Sequence, residues 1–76
     1  MKFTSYKDRE LFDTRHGGAF DRGSADSYYH RGIEPHYYVG DTLASEKITE
    51  LTEEELKEYM AGYAWNEQFG DKKDWS

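Results

Sequence analysis

Large aliphatic side chains are the scarcest material in this chain, and that shortage limits what it can fold into. Seven branched aliphatics, Leu11, Ile33, Val39, Leu43, Ile48, Leu51 and Leu56, are spread over 76 residues. Adding Phe3, Phe12, Phe20 and Phe69 gives eleven, fewer than a globular chain of this length ordinarily carries. Seven tyrosines and two tryptophans act in the other direction, because each large aromatic buries roughly 150–250 Å². The expected core is therefore aromatic with polar edges. The chain has no cysteine, hence no disulfide framework and no Cys-based zinc site. A core of this size supplies only about 3–5 kcal/mol. The expectation is a marginal fold, stabilised by self-association as a homodimer or by a partner.

Charge divides the chain. Residues 1–40 carry six basic and six acidic side chains, and residues 41–76 carry four basic and ten acidic, so the net charge of −6 lies in the second half. No apolar run approaches the roughly 18 residues of a membrane span, and the charged N-terminus lacks the apolar stretch of a secretory signal. No membrane contact is expected, and the zero cysteine count fits the reducing cytoplasm.

Local signals divide the chain into an arm and a domain. Residues 1–19 alternate charge with isolated aromatics up to the His16-Gly17-Gly18 joint and read as a flexible arm. Residues 20–76 read as one small helical domain. Within it, Asp21 or Ser24 caps a short helix over residues 24–31, ending at Gly32, with Ala25, Tyr28 and Tyr29 on its inner face. Pro35 stops that helix, because the residue before proline is pushed to extended geometry. Residues 36–39 are β-prone and end at Gly40; residues 42–50 read as a loop or one short strand.

The clearest signal is a second helix over residues 53–69. Thr52 and Glu55 have capping-box spacing, and Glu53, Glu54 and Glu55 occupy the first turn, where the helix dipole favours negative charge. Leu56, Tyr59, Met60, Tyr63 and Ala64 form a stripe at helical spacing. The expected packing sets Ala25, Tyr28 and Tyr29 against Tyr59, Met60 and Tyr63. Gly62 lets the first helix approach closely. Trp65 and Phe69 project from another side, either capping the end of the core or forming an exposed contact patch. The fold class is thus mainly α: two helices, a Pro-containing irregular connector and a loose N-terminal arm.

Catalytic constellations are thin. His16, His30 and His36 lie near several carboxylates in sequence, yet no HxxxH, HxH or HExxH spacing is present. Ser24, Ser27 and His30 share a short helix without an oxyanion-hole loop or third orienting group. No phosphate-cradling motif occurs, although Arg22 near a helix N-terminus suits a weak anion site. No cofactor, metal or enzymatic activity is expected. Two binding surfaces remain. Tyr28, Tyr29, Tyr37 and Tyr38 interleave with Arg22, Arg31, His30 and His36, setting cations among stacking platforms as single-stranded nucleic-acid binders do. Against that reading, backbone binding depends on cation density, and the net charge is negative. Glu54 and Glu58, with Trp65 and Phe69, make the second helix an acidic and aromatic candidate.

The segment Phe20-Asp21-Arg22-Gly23-Ser24-Ala25-Asp26-Ser27-Tyr28-Tyr29, with Pro35-His36 and the capped acidic helix, resembles a family of small proteins of tailed bacteriophages. The likeness extends through Tyr59-Met60-Ala61-Gly62-Tyr63 to Lys73-Asp74-Trp75 and covers residues 20–75. It implies a phage protein; taken with the acidic and aromatic surface, the expected role is a non-catalytic accessory protein that binds and modulates a bacterial host protein in the host cytoplasm. A lesser likeness is to ribosome modulation factor, in Gly23 to Ala25, Pro35 to Tyr37 and Tyr59-x-x-Gly62-Tyr63. It implies ribosome binding as the alternative. That family is basic, whereas this chain has a net charge of −6.

Overall fold

A computed structural model describes residues 6–40, 45–70 and 72 of the chain. Phe3, Leu43 and the closing Lys73-Asp74-Trp75 lie outside the described residues. Two helices dominate: α1 over Ala19–Tyr28 and α2 over Glu53–Phe69. Between them, β1 (Tyr37–Tyr38) and β2 (Lys47–Ile48) form a short antiparallel pair, with Tyr37 opposite Ile48 and Tyr38 opposite Lys47. Mainly helical architecture is what the sequence predicts. No helix among the described residues is long and apolar enough to cross a membrane.

The start of α1 lies five residues before the expected position, and its capping differs. Gly17 turns the chain with φ +85°, and Gly18 takes the N-cap position in extended geometry without a side-chain cap. Asp21 acts from the third helical position instead, accepting the Gly17 N–H at 2.9 Å. The helix also stops earlier than residue 31. His30 adopts φ +60°, its N–H donates to Ser27 O at 3.2 Å, and the Arg31 N–H donates to Asp26 O at 2.9 Å. That bond pattern is a Schellman closure with a histidine where glycine is usual. It folds Arg31 back onto Asp26.

Helix α2 starts as its sequence predicts. Thr52 Oγ1 accepts from Glu55 N at 3.2 Å, and Glu55 Oε1 accepts from Thr52 N at 2.9 Å, completing the capping box. Gly70 ends it, donating to Asn66 O at 3.0 Å.

Two glycines decide how the helices pack. A Cβ at Gly23 would lie 2.0 Å from Tyr59 O, and a Cβ at Gly62 would lie 2.0 Å from Phe20 O. The backbones of α1 and α2 therefore touch at a Gly23–Gly62 crossing, which only residues without a Cβ allow. Close approach through Gly62 is as expected; the faces that meet are not. The buried residues of α2 are Tyr59, Ala61, Gly62, Trp65 and Asn66, so the inner face is centred on Gly62 rather than on Met60. At about 100° per residue those two positions lie nearly opposite each other. Leu56 and Met60 consequently face outward, 41% and 37% exposed. On α1 the buried set is Ala19, Phe20, Gly23, Asp26 and Ser27, in place of Ala25, Tyr28 and Tyr29.

The apolar core is small and aromatic. Phe20, Ala61 and Trp65 form it, with Phe12 and Ala64 packed against it. Phe12 stacks on Phe20 at 5.5 Å between ring centroids, and Phe20 lies 6.2 Å from Trp65. Phe12 follows a 3-10 helix over Tyr6–Leu11, from which the Arg9 guanidinium sits 4.6 Å above the Trp65 ring. Segment 6–12 of the arm thus touches the helix pair. Trp65 is 5% exposed and belongs to this core, so it is not available as a contact patch.

Candidate functional site

Polar side chains complete the interior, and they begin with Asp26. This carboxylate is buried on α1, and burying it without partners would cost several kcal/mol. It is fully occupied. Arg31 Nε donates to Oδ1 at 2.9 Å, the Tyr59 hydroxyl donates to Oδ2, and His36 Nδ1 lies 3.7 Å from Oδ2. Tyr59 Oη also accepts the Glu34 N–H at 2.8 Å, tying the connector to α2. Burial, and next the Asp26 carboxylate, push the Tyr59 hydroxyl well above its ordinary range, so it remains a donor at any physiological pH.

His36 sits over this junction, buried, with its ring 6.0 Å from Tyr59 and edge-on to Tyr38 at 5.7 Å. Nδ1 is 2.7 Å from Glu34 O, and Arg22 Nε is 3.4 Å from Nε2. Because a carbonyl only accepts and a guanidinium only donates, this pattern assigns the imidazole proton to Nδ1. A second polar group joins the helices lower down. Ser27 Oγ donates to Glu67 at 2.5 Å and accepts from Asn66 Nδ2 at 3.0 Å. Lys72 and Ser27 hold the Glu67 carboxyl below its ordinary value. Ser27 is thus fixed inside the fold, while His30 is exposed beyond the end of α1. No buried side-chain nitrogen or oxygen among the described residues lacks a partner.

The expected binding residues fall into two groups. Arg22, Arg31 and His36 converge on a cleft of about 210 Å³, which they line with Tyr38 and Lys47. Tyr28 and Tyr29 pack edge to face at 4.8 Å beside it, and Arg31 lies 4.8 Å over the Tyr29 ring. Arg22 has Asp21 at 3.7 Å and lies 5.7 Å from the Tyr38 ring centroid. These cations are engaged within the fold rather than laid out along a phosphate track.

Glu54 and Glu58 belong to the outer face of α2. A hollow of about 430 Å³ is lined by Glu53, Glu54, Leu56, Lys57 and Met60. A second, of about 460 Å³, shares Glu54 and Lys57 and is completed by Leu11, Phe12, Asp13 and Glu58. Together they make an apolar strip, Leu56 and Met60 on one side and Leu11 and Phe12 on the other, crossed by Glu54 and Lys57 and rimmed mostly by carboxylates. Leu11 at its edge is 79% exposed. Partial burial, then the neighbouring Asp13, Glu54 and Glu55 carboxylates, raise the Glu58 carboxyl above its ordinary value. Phe69 is exposed at the far end of α2, 6.5 Å from Trp65.

Leu11, Leu56 and Met60 are members of the strip that sequence reasoning did not select, since their types point to a core. Lys47 and Asp26 were likewise not selected. The five-residue spacing from Asp26 to Arg31 was the one local signal for Asp26, and Lys47 had none. Among the described residues no group of three or more His, Cys, Asp or Glu side chains is arranged to hold a metal ion. Comparison with protein families, with characterised proteins and with solved structures finds no match to this chain.

Proposed function

We propose that the chain is a non-catalytic accessory protein that binds and modulates a bacterial host protein through the acid-rimmed apolar strip on the outer face of α2. The observation that carries this reading is the outward placement of Leu56 and Met60 on α2, with Leu11 exposed in the adjoining hollow. A chain so poor in large aliphatics leaves Leu11 and Leu56 exposed here together with Met60, among Glu53, Glu54, Glu58, Asp13 and Lys57. Full burial of a wholly exposed side chain of this size is worth roughly 1.5–3 kcal/mol, and covering Leu56 and Met60, already partly buried, gains a fraction of that; the rim favours a partner with complementary charge. A second copy is disfavoured, because a two-fold contact brings together two faces with the same acidic excess, Glu53, Glu54, Glu58 and Asp13 against Lys57 on each. The partner is therefore a surface with an apolar centre and a Lys/Arg rim. The bacterial and phage setting, and with it the host cytoplasm, rests on the resemblance of residues 20–75.

Affinity capture from bacterial lysate, followed by reconstitution with the purified retained protein, tests the proposal. Glu54→Lys with Glu58→Lys should weaken that complex by about tenfold or more in a variant shown by circular dichroism to be folded. Met60→Ser should weaken it as well. Retention indifferent to these changes would refute the site. Retention of ribosomal subunits, lost instead on changing Arg22 and Arg31, would replace this reading by the ribosome-binding one.

A further inference from the structure

In a chain with 16 acidic and 10 basic side chains, three cations from three different segments meet at one cleft. Arg22 comes from α1, Arg31 from the turn after it, and Lys47 from β2. The cleft shares no residue with the hollows on the outer face of α2. Both arginines are anchored through Nε, Arg31 to Asp26 at 2.9 Å and Arg22 to His36 at 3.4 Å. Anchoring at Nε leaves the paired Nη edge of the half-exposed Arg31, an edge that grips a phosphoryl group in two-point fashion, while Arg22 is more deeply set, its side chain 16% exposed. Arg22 shares part of its own Nη edge with Asp21 at 3.7 Å.

The two acidic residues of the cleft do not oppose such a ligand equally. Asp26 is buried and spent on Arg31 and the Tyr59 hydroxyl, so it orients a cation. Glu34 is exposed, and its 4.0 Å pairing with Lys47 joins two solvent-facing side chains. A pair of that kind is worth little and is readily exchanged for a more highly charged anion. The lining therefore sums to three positive and two negative formal charges with neutral His36, and Glu34 is the negative one free to swing away. Tyr38 adds an aromatic wall.

We propose that this cleft binds the phosphoryl group of a small phosphate monoester, with Arg22, Arg31 and Lys47 as its cationic ligands. Its volume of about 210 Å³ lies below the roughly 300–1,000 Å³ of sites that enclose whole ligands. It takes the phosphoryl group and leaves the rest of the ester outside, against Tyr38.

The test is titration of the isotope-labelled full chain, followed by NMR at constant ionic strength, with inorganic phosphate, O-phosphotyrosine and AMP as separate probes. Saturable shifts of the Arg22, Arg31 and Lys47 signals are expected with all three. Tighter binding of the two aromatic esters than of phosphate assigns the ester group to the Tyr38 wall; equal binding restricts recognition to the phosphoryl group. Lys47→Ala, at an exposed position, should retain the melting temperature and weaken binding by about tenfold. Lys7→Ala, in the 3-10 helix, should leave it unchanged. Absence of saturable shifts overturns the proposal. So does a Lys47→Ala variant that binds as well as the parent, or equal weakening by both substitutions.

Discussion

Gly62 shows how one residue's meaning depends on what lies against it. In an isolated helix, glycine costs about 1 kcal/mol relative to alanine, so Gly62→Ala would be stabilising. Here the added Cβ would meet Phe20 O at 2.0 Å, a backbone atom that cannot rotate away. Gly62→Ala should therefore lower the melting temperature markedly and separate the helices; an unchanged or higher value would refute the crossing. Tyr59 makes a related point through its hydroxyl. Tyr59→Phe keeps the ring but leaves Asp26 Oδ2 short of a donor and the Glu34 N–H without its acceptor. A loss of about 1–3 kcal/mol is expected by chemical denaturation, more than deletion of an exposed hydroxyl would give.

At the scale of elements, α2 carries both the most legible part of the sequence and its largest surprise. The capping box at Thr52 and Glu55 was readable because capping is local: four consecutive residues contain donor, acceptor and geometry. The inner face was not readable, because the apolar stripe of Leu56, Tyr59 and Met60 competes with the close approach that Gly62 permits. Backbone contact at the crossing prevailed, and two apolar side chains were left in solvent. The early start of α1 has a similar origin. Gly18 is a poor cap by type, and Asp21 acts from inside the helix only once Gly17 has turned the chain back toward it. Crowding at the first turns of α2 has a pH signature. The Glu58 carboxyl is raised from its ordinary 4.5, so its charged form costs stability at neutral pH. That cost is absent below the ordinary value and develops as pH rises through the raised one. Glu58→Gln should accordingly raise the melting temperature at pH 7 and lose this advantage near pH 4. An equal gain at both pH values would show that charge is not the cause.

Across the whole molecule, a small aromatic core is supplemented by buried polar groups that are all partnered among the described residues. Asp26, Ser27, His36 and Asn66 occupy interior positions that aliphatic side chains fill in richer chains. Each hydrogen bond there contributes a modest net amount, but a broken one exposes the full desolvation cost of its partner. Much of the stability therefore depends on geometry. Leu56 and Met60 face outward on α2, and cations gather at the connector, so the two proposed surfaces are separate products of one packing choice.

What the sequence determined by itself was local and compositional: a mainly helical chain, an aromatic core, a capped second helix, a connector at Pro35 and the acidic second half. Composition sets the amount of surface available for burial, and capping and proline act within a few residues. Tertiary structure decided which faces are buried, where α1 begins, that Trp65 is core, and that Asp26, Tyr59, Arg31 and His36 form one junction. Those outcomes depend on contacts between α1, the connector and α2 that are distant in sequence. The deciding quantity was the distance of approach at Gly23 and Gly62, which no periodicity along a single helix encodes.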